Sequence, residues 1–530
     1  MNVLKRILSL LLVCVFVGAA LVGCGNNKGN GDGQSTADQG DVNNSGVTEK
    51  ETNIYGEPSF TTANDYRALD FEGEELTVMI RRDEVAAREW YKESPEDELD
   101  EAVAMRNVAV EEELNLHIDF EITPCYDFTS YLAVFQDMVI NDVMSDLHYY
   151  DVAVHFALGA GYANVRDCHA NVLDNKQFPY FDFSLPCWNQ SVVNGTVVND
   201  RLHLICGDVN ISQFDYANVF WYNKTLYDNK KEVTDHEDIQ DLALEGLWTY
   251  DELYMWATRL HEDSNGTTGW QADDTYGYAE GPANVNTQPV PKDSMAAAFD
   301  IDLLLENPDG THSYNIVGND KAEKALTMFR NLFDATGTCE QATVGNFAAG
   351  KYVFYASTIY PGKDANMQIR EMEDTYGLLP IPKYDIDQEQ YGTTATDGYS
   401  LMGVLDHNES TIPTKGEAVS AYLQLMTEES YTSVRGYYFN RIIKPKYFGT
   451  DDSEGTVTNS IALFDIIVDN IEFDYCTIYS PQLNNVNHLW RGACYSSGTL
   501  ESLYQAKKDA YEKAIMETDA WLGLRAPIEE

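Results

Sequence analysis

Nothing in this 530-residue chain is organised around paired cysteines or metal ligands. It holds nine cysteines, but no CxxC pair occurs and no His/Cys cluster has zinc spacing. Cys125, Cys168, Cys187, Cys206, Cys339, Cys476 and Cys494 are scattered and odd in number, so buried thiols are expected rather than a disulfide framework. Basic residues are scarce: 35 Lys and Arg stand against 86 Asp and Glu, a formal charge of −51. So acidic a surface argues against nucleic acid and polyanions as partners. Hydrolase signatures are missing too. His236-Glu237 and His261-Glu262 lack the second histidine of a zinc helix, and there is no GxSxG elbow. GNFAAGKY at Gly345–Tyr352 has phosphate-loop spacing, but Tyr352 stands where Ser or Thr would hold magnesium. The strand-like YVFYA also follows that stretch, where a phosphate loop would have the strand before it. Asp385, Asp387 and Glu389 alternate like the start of a calcium loop, yet the glycine and distal glutamate are misplaced. No catalytic residue, metal or cofactor is expected. Beyond Val22 no apolar run is long enough to span a bilayer.

What is present begins at the N-terminus. Lys5 and Arg6 precede Ile7–Val22, apolar apart from Ser9, which reads as a secretory signal peptide. It ends in Leu21-Val22-Gly23-Cys24, which resembles the lipobox of bacterial lipoproteins. The resemblance implies a diacylglycerol on the Cys24 thiol and cleavage just before it. Loss of residues 1–23, with two basic and no acidic residues, takes the charge from −51 to −53. Gly25 to Asn53 is mostly Gly, Asn, Asp, Ser, Thr and Gln, with too few apolar residues to bury surface against its ordering entropy. Residues 24–70 therefore read as lipidated cysteine plus flexible linker. The expected location is the outer face of the cytoplasmic membrane, anchored by lipid.

The remainder is long enough for two lobes. LTVMI (76–80) reads as a buried strand, followed by a helix with Leu99, Val103, Val110 and Leu114 on one face. LHIDFEI alternates as a strand, with Leu116, Ile118, Phe120 and Ile122 on one side. Phe128, Tyr131, Leu132, Phe135, Met138 and Val139 mark a second helix, and YDVAVHF (150–156) a third strand. This β-α-β-α-β order predicts a parallel sheet. Thr249 and Glu252 predict a capping box, and Asp320 with Glu323 a similar helix start. ENPDGTHSY predicts a hairpin turn around Asp309 and Gly310.

Several stretches together resemble the extracellular solute-binding lipoproteins of ABC importers, especially the sugar-binding families. NGTVVNDRLHLICGD (194–208) is followed by NVFWYNKTLYDN (218–229), similar to a strand and "YNK-x-L" signature. LWTYDEL (247–253), FAAGKYVFY (347–355) and YGLLPIP (376–382) with Asp397-Gly398-Tyr399 follow in family order. The resemblance implies an α/β fold of the two-lobed type II periplasmic-binding-protein kind, with interleaved lobes and a hinge. It places lobe 1 at 71–208 with a return at 356–405, lobe 2 at 209–355, and a C-terminal helical segment, 406–530, completing lobe 2 and the hinge. The first crossover is expected at Asp208–Asp215. The implied protein is a monomer without enzymatic activity. It captures a carbohydrate, expected to be an oligosaccharide, and hands it to ABC permease subunits. A receptor for peptides or other organic solutes, or a surface-anchored glycan hydrolase, is the alternative.

Ligands of open α/β sheets sit beyond the carboxyl ends of the strands. That rule selects Arg81, Arg82 and Asp83, then His155 and Phe156, then Tyr355, Thr358 and Tyr360, and Asp397 and Tyr399. In lobe 2 it selects Trp270, Asp274, Glu280 and Asn284. Sugars need planar polar groups and aromatic platforms. The expected ligand set is therefore Arg82, Asp83, Trp90, Phe156, Trp270, Asp274, Glu280, Tyr355, Tyr360, Asp397 and Tyr399, with Trp90 and Trp270 as the leading platforms. His155 is expected to be a satisfied buried histidine.

Overall fold

The computed structural model describes residues 66–82, 88–92, 94–125, 127–234, 238–267, 271, 273–281, 291–363, 369, 372–407, 415–438, 453–473 and 475–525. Strands β1 (Glu74–Arg81), β2 (Leu116–Thr123) and β3 (Val152–Phe156) come first. Next are β4 (Asn218–Asn223), β5 (Tyr276–Glu280), β6 (Leu304–Glu306), β7 (His312–Tyr314) and β8 (Thr338–Cys339). The last are β9 (Tyr352–Thr358), β10 (Tyr376–Leu379), β11 (Thr393–Thr394), β12 (Ser400–Val404) and β13 (Ile471–Glu472). They form one sheet of order β12-β3-β1-β2, a second of order β10-β4-β9-β5-β8, and the pairs β11-β13 and β6-β7.

The first sheet follows from local pattern. β1 pairs in parallel with β2 and β3, as the β-α-β-α-β order predicts. The helix Glu98–Leu114 starts where the Asp97 carboxylate accepts from the Leu99 and Asp100 N–H groups. Its Leu99, Val103, Val110 and Leu114 are buried. β2 is an edge strand, and its burial alternates with its sequence. Phe128–Ser130, a π turn at Tyr131–Phe135, and Gln136–Met144 form the second helical stretch.

The second sheet mixes directions. β5 runs parallel to β9, while β4 is antiparallel to β9 and β10. The return to the first sheet therefore comes later than residue 356. β9 and β10 stay with β4 because their buried Val353, Phe354, Leu378 and Leu379 belong to the second core; only β12 rejoins β3, antiparallel. The segment after 406 also divides. Helix Lys415–Glu429 buries Ala418, Tyr422, Leu425 and Met426 with Val154 and Val404 of the first lobe. Helix Ser453–Asp469 joins the second lobe, where Gln240 Nε2 donates to Ser460 Oγ at 2.8 Å.

Two helix starts differ from expectation. Thr249 is an extended N-cap residue, but its hydroxyl makes no capping bond. The Glu252 carboxylate is turned the other way, accepting from Trp256 Nε1 at 3.1 Å. The helix Asp320–Asp334 is capped one residue earlier, by Asn319 Oδ1 accepting from the Ala322 N–H. The hairpin β6–β7 closes as predicted, with Gly310 at φ +83°. GNFAAGKY is a short helix, Val344–Ala348, that ends at Gly350 in the left-handed region and leads into β9.

Candidate functional site

The carboxyl ends of β1, β3, β5 and β9 and the starts of the antiparallel β4 and β12 define the crevice. Register places Ser400 opposite Phe156, Asn218 opposite Thr358, and Glu280 beside Ala356. Ala217 and Tyr399, the residues just before β4 and β12, lie on the chain connections between the sheets. Both sheets therefore turn the same kind of end towards the crossovers. Those crossovers are laced together: Thr396 donates its N–H to the Tyr216 carbonyl at 2.8 Å, and Ser400 its N–H to Ser212 Oγ at 3.0 Å. The Tyr438 hydroxyl donates to Asp215 at 2.9 Å, and Arg435 pairs with Asp208 at 3.2 Å.

On the first-lobe side, Arg82 is exposed immediately after β1, and Phe156 is half-buried. Arg81 is closed to solvent; its guanidinium lies 3.5 Å from the centre of the Phe156 ring and donates to Ser400 Oγ at 3.0 Å. This cation–π contact fixes Phe156 from behind. Glu89 is buried beside Arg81, and one carboxylate oxygen accepts the Ser212 N–H at 2.7 Å. Burial pushes its carboxyl up to about 7, against the pull of those hydrogen bonds and of Arg81. The Arg106 guanidinium donates to the Glu89 carbonyl at 2.9 Å, and burial brings it down to about 10.

Behind the loop that follows β3 lies a neutral polar relay. His155 meets Tyr131 Oη through Nδ1 at 3.0 Å and His169 Nε2 through Nε2 at 3.0 Å. Burial holds His155 well below the ordinary histidine range and takes His169 to about 3. With both rings neutral, one Nε2 donates and the other accepts. Gln136 Nε2 donates to Tyr131 Oη and to the Gly159 carbonyl, so the relay shapes the loop from beneath. His155 is thus the satisfied core histidine expected.

The structure brings together only part of the expected ligand set. Arg82, Phe156, Tyr360, Asp397 and Glu280 all lie at the crevice ends of the sheets. Tyr360 and Asp397 are half-buried. Glu280 is closed to solvent, with its carboxylate accepting from the Tyr278 hydroxyl at 2.9 Å. Trp90 is not an open platform: it is buried in the first-lobe core, and its carbonyl accepts from Asn107 at 2.8 Å. The charged neighbour that made it look loop-like is itself satisfied, since Arg88 pairs with Asp97 at 2.8 Å and with Asp100 at 2.9 Å. Asp274 lies before β5, at the end opposite the crevice, where its carboxylate holds the Ser264 N–H and hydroxyl. Tyr355 is buried within β9 and stacks on Phe347 at 5.4 Å. Tyr399 is covered by Phe473, edge to face at 4.7 Å. Asp83, Trp270, Asn284 and Cys24 lie outside the described residues. Sequence reasoning missed the contacts of Phe473 and Tyr479, because no local pattern marks a segment that packs on a distant lobe.

No protein-family model matches the chain, and no curated protein matches it significantly. Solved structures do. The fold is the two-lobed α/β architecture of type II periplasmic-binding proteins. The chain is similar to the cyclic alpha-maltosyl-1,6-maltose binding protein of Arthrobacter globiformis, at 14% identity and a TM-score of 0.55, over 84% of this chain and 99% of that one. It is also similar to the sugar-binding protein MalE of Xanthomonas citri, at 13% identity and a TM-score of 0.52, over 84% and 98%. A cyclo/maltodextrin-binding protein complexed with maltotetraose aligns at 12% identity and 0.50, over 85% and 98%. Each of these is described as a binding protein. At such identities the likeness establishes the fold.

Proposed function

We propose that this chain is a solute receptor that captures a carbohydrate, an oligosaccharide, between its lobes and delivers it to the permease of an ABC importer. The observation that carries this reading is the match over nearly the whole length of sugar-binding proteins. The crevice supports it: Phe156, backed by Arg81, offers an aromatic face at the end of β3, and Arg82, Asp397 and Tyr360 supply polar groups at the other crevice ends. Such a mixture suits hydroxyls and apolar CH faces together. The receptor performs no chemistry of its own and works as a monomer. Cys24 carries the lipid that holds it at the outer face of the cytoplasmic membrane, and the polar linker lets it reach its permease.

A melting-shift screen of maltose, maltotetraose, cyclodextrins and short peptides tests this. A ligand at a hundredfold excess over its Kd stabilises the folded state by about 2.7 kcal/mol. Shifts with sugars are expected. Shifts with peptides alone would overturn the carbohydrate assignment, and release of shorter saccharides would overturn the non-enzymatic one. Membrane fractionation of wild type and Cys24→Ser tests the anchor; equal partition of the two would refute it.

A further inference from the structure

One part of the C-terminal segment is docked on the first lobe. β13 pairs in parallel with β11, beside the second crossover. From there the chain runs over the loop that follows β3. The Phe473 N–H donates to Ser191 Oγ at 3.2 Å, and its ring covers Tyr399. The Gly159 N–H donates to the Thr477 carbonyl at 3.2 Å. Tyr479 occupies the space a side chain at Gly161 would need: a Cβ there would sit 2.3 Å from the tyrosine ring. Asn164 Nδ2 donates to the Tyr479 hydroxyl at 2.7 Å, and both residues are buried. Pro481 closes over Gly159, its Cγ 3.2 Å from where a Cβ would stand.

The same stretch is held from its other side. Tyr475 stacks on His312 of the β6–β7 hairpin at 4.4 Å. His312 is in turn bound through Nδ1 to Asp519 of the helix Lys508–Trp521, at 2.7 Å. Arg525 closes that node with a bond to the other Asp519 oxygen, at 2.6 Å. Helix and hairpin pack together through Tyr511 and Tyr314, with Tyr504 of the preceding helix Leu500–Gln505 against both rings, and all three belong to or pack on the core that contains β4, β5 and β9. The stretch thus ties the second lobe to the first at the carboxyl end of β3, on the crevice side and beside the second crossover, where the Leu158 N–H donates to the Asp397 carbonyl at 3.1 Å.

We propose that the stretch around Tyr479 is a strap across the crevice, and that the lobes separate only when the Tyr479 ring leaves its seat on Gly161. The strap is a conformational gate on solute entry and release. Its geometry implies graded effects. Removing the ring should free the loop 157–164, whereas removing only the Asn164 hydrogen bond should loosen it partly.

The experiment is hydrogen exchange with small-angle scattering on the full chain without ligand, so its outcome is independent of the solute proposed above. For Tyr479→Ala, exchange of the stretch 157–164, including the Gly159 N–H, should rise about tenfold or more, while β1 and β2 stay protected. The radius of gyration should increase. Tyr479→Phe keeps the ring and should remain within about threefold of wild type. Asn164→Ala leaves the ring seated and should give an intermediate rise even if Tyr479→Ala does not fold. Wild-type exchange at 157–164 in either alanine variant would overturn the proposal. So would a rise spread equally over β1 and β2, which would mark a general loss of stability.

Discussion

Glu89→Gln isolates one buried titration. The carboxyl lies fully inside the protein, at the point where β1, the helix Glu98–Leu114 and both crossovers meet. It faces Arg81 and Arg106, and its charge also acts on the Cys206 thiol. Burial raises it from an ordinary 4.5 to about 7. A folded-state value above the unfolded one means the native state holds an extra proton between those two values. The stabilisation from the neutral form is therefore complete below about pH 4.5 and is lost as pH rises through about 7. The gap is about 2.5 pH units, and at about 1.36 kcal/mol per unit the ceiling is about 3.4 kcal/mol. Glutamine keeps the shape and an acceptor oxygen for the Ser212 N–H but cannot ionise. Urea unfolding of both proteins at pH 5, 6, 7 and 8, at matched ionic strength, gives the difference directly. Wild type should fall relative to Glu89→Gln by about 2.5 kcal/mol across this range. A flat difference would refute the burial argument. A difference of opposite sign would mean that Arg81 and Arg106 outweigh desolvation and keep the native carboxylate ionised.

Three further outcomes are expected. Trp90→Ala, which empties a fully buried site, should cost about 3–5 kcal/mol in urea unfolding; a cost below about 1 kcal/mol would contradict the placement in the core. Phe156→Ala should weaken sugar binding about tenfold or more by calorimetry, with a smaller effect on the melting temperature than Trp90→Ala; unchanged affinity would remove Phe156 from the site. His169 stays neutral in the fold down to about pH 3, a depressed value, so its contribution is present above about 6.5 and fades as pH falls. Wild type should therefore lose more stability than His169→Gln between pH 6.5 and 4.5, and equal losses would refute the assignment.

Where the sequence was legible, contacts were short in chain distance. β1, the helix Glu98–Leu114, β2 and β3 follow one another, and each buries the face its own periodicity marks. The position of Phe156 at a strand end could be read in the same way. Arg81 could be placed after the first strand, but not its seat: its hydrogen-bond partner Ser400 is 319 residues away. Trp90 failed for a related reason. The stretch REWYK is polar in sequence, yet Arg88 is paired with Asp97 and Asp100, Lys92 with Glu96, and Glu89 accepts from the Ser212 N–H, which lets the indole sink into the core.

The same distance effect explains why the crevice is narrower than strand-end reasoning allows. That reasoning treats every carboxyl end as open, which holds when only the lobes' own loops surround the crevice. Here β12 begins at a carboxyl end, but Tyr399 just before it is covered by Phe473, and the loop after β3 carries Tyr479 on Gly161. Both covering residues come from a segment more than 70 residues beyond Tyr399 in the chain, and glycine at 161 leaves room for one of them. A glycine in a short helical turn, Gly161–Asn164, reads locally as poor helix chemistry. Its physical reason is the ring it admits. Tyr399 and Gly161 are thereby withdrawn from the ligand surface, while Arg82 stays exposed just after β1 and Phe156 half-buried at the end of β3.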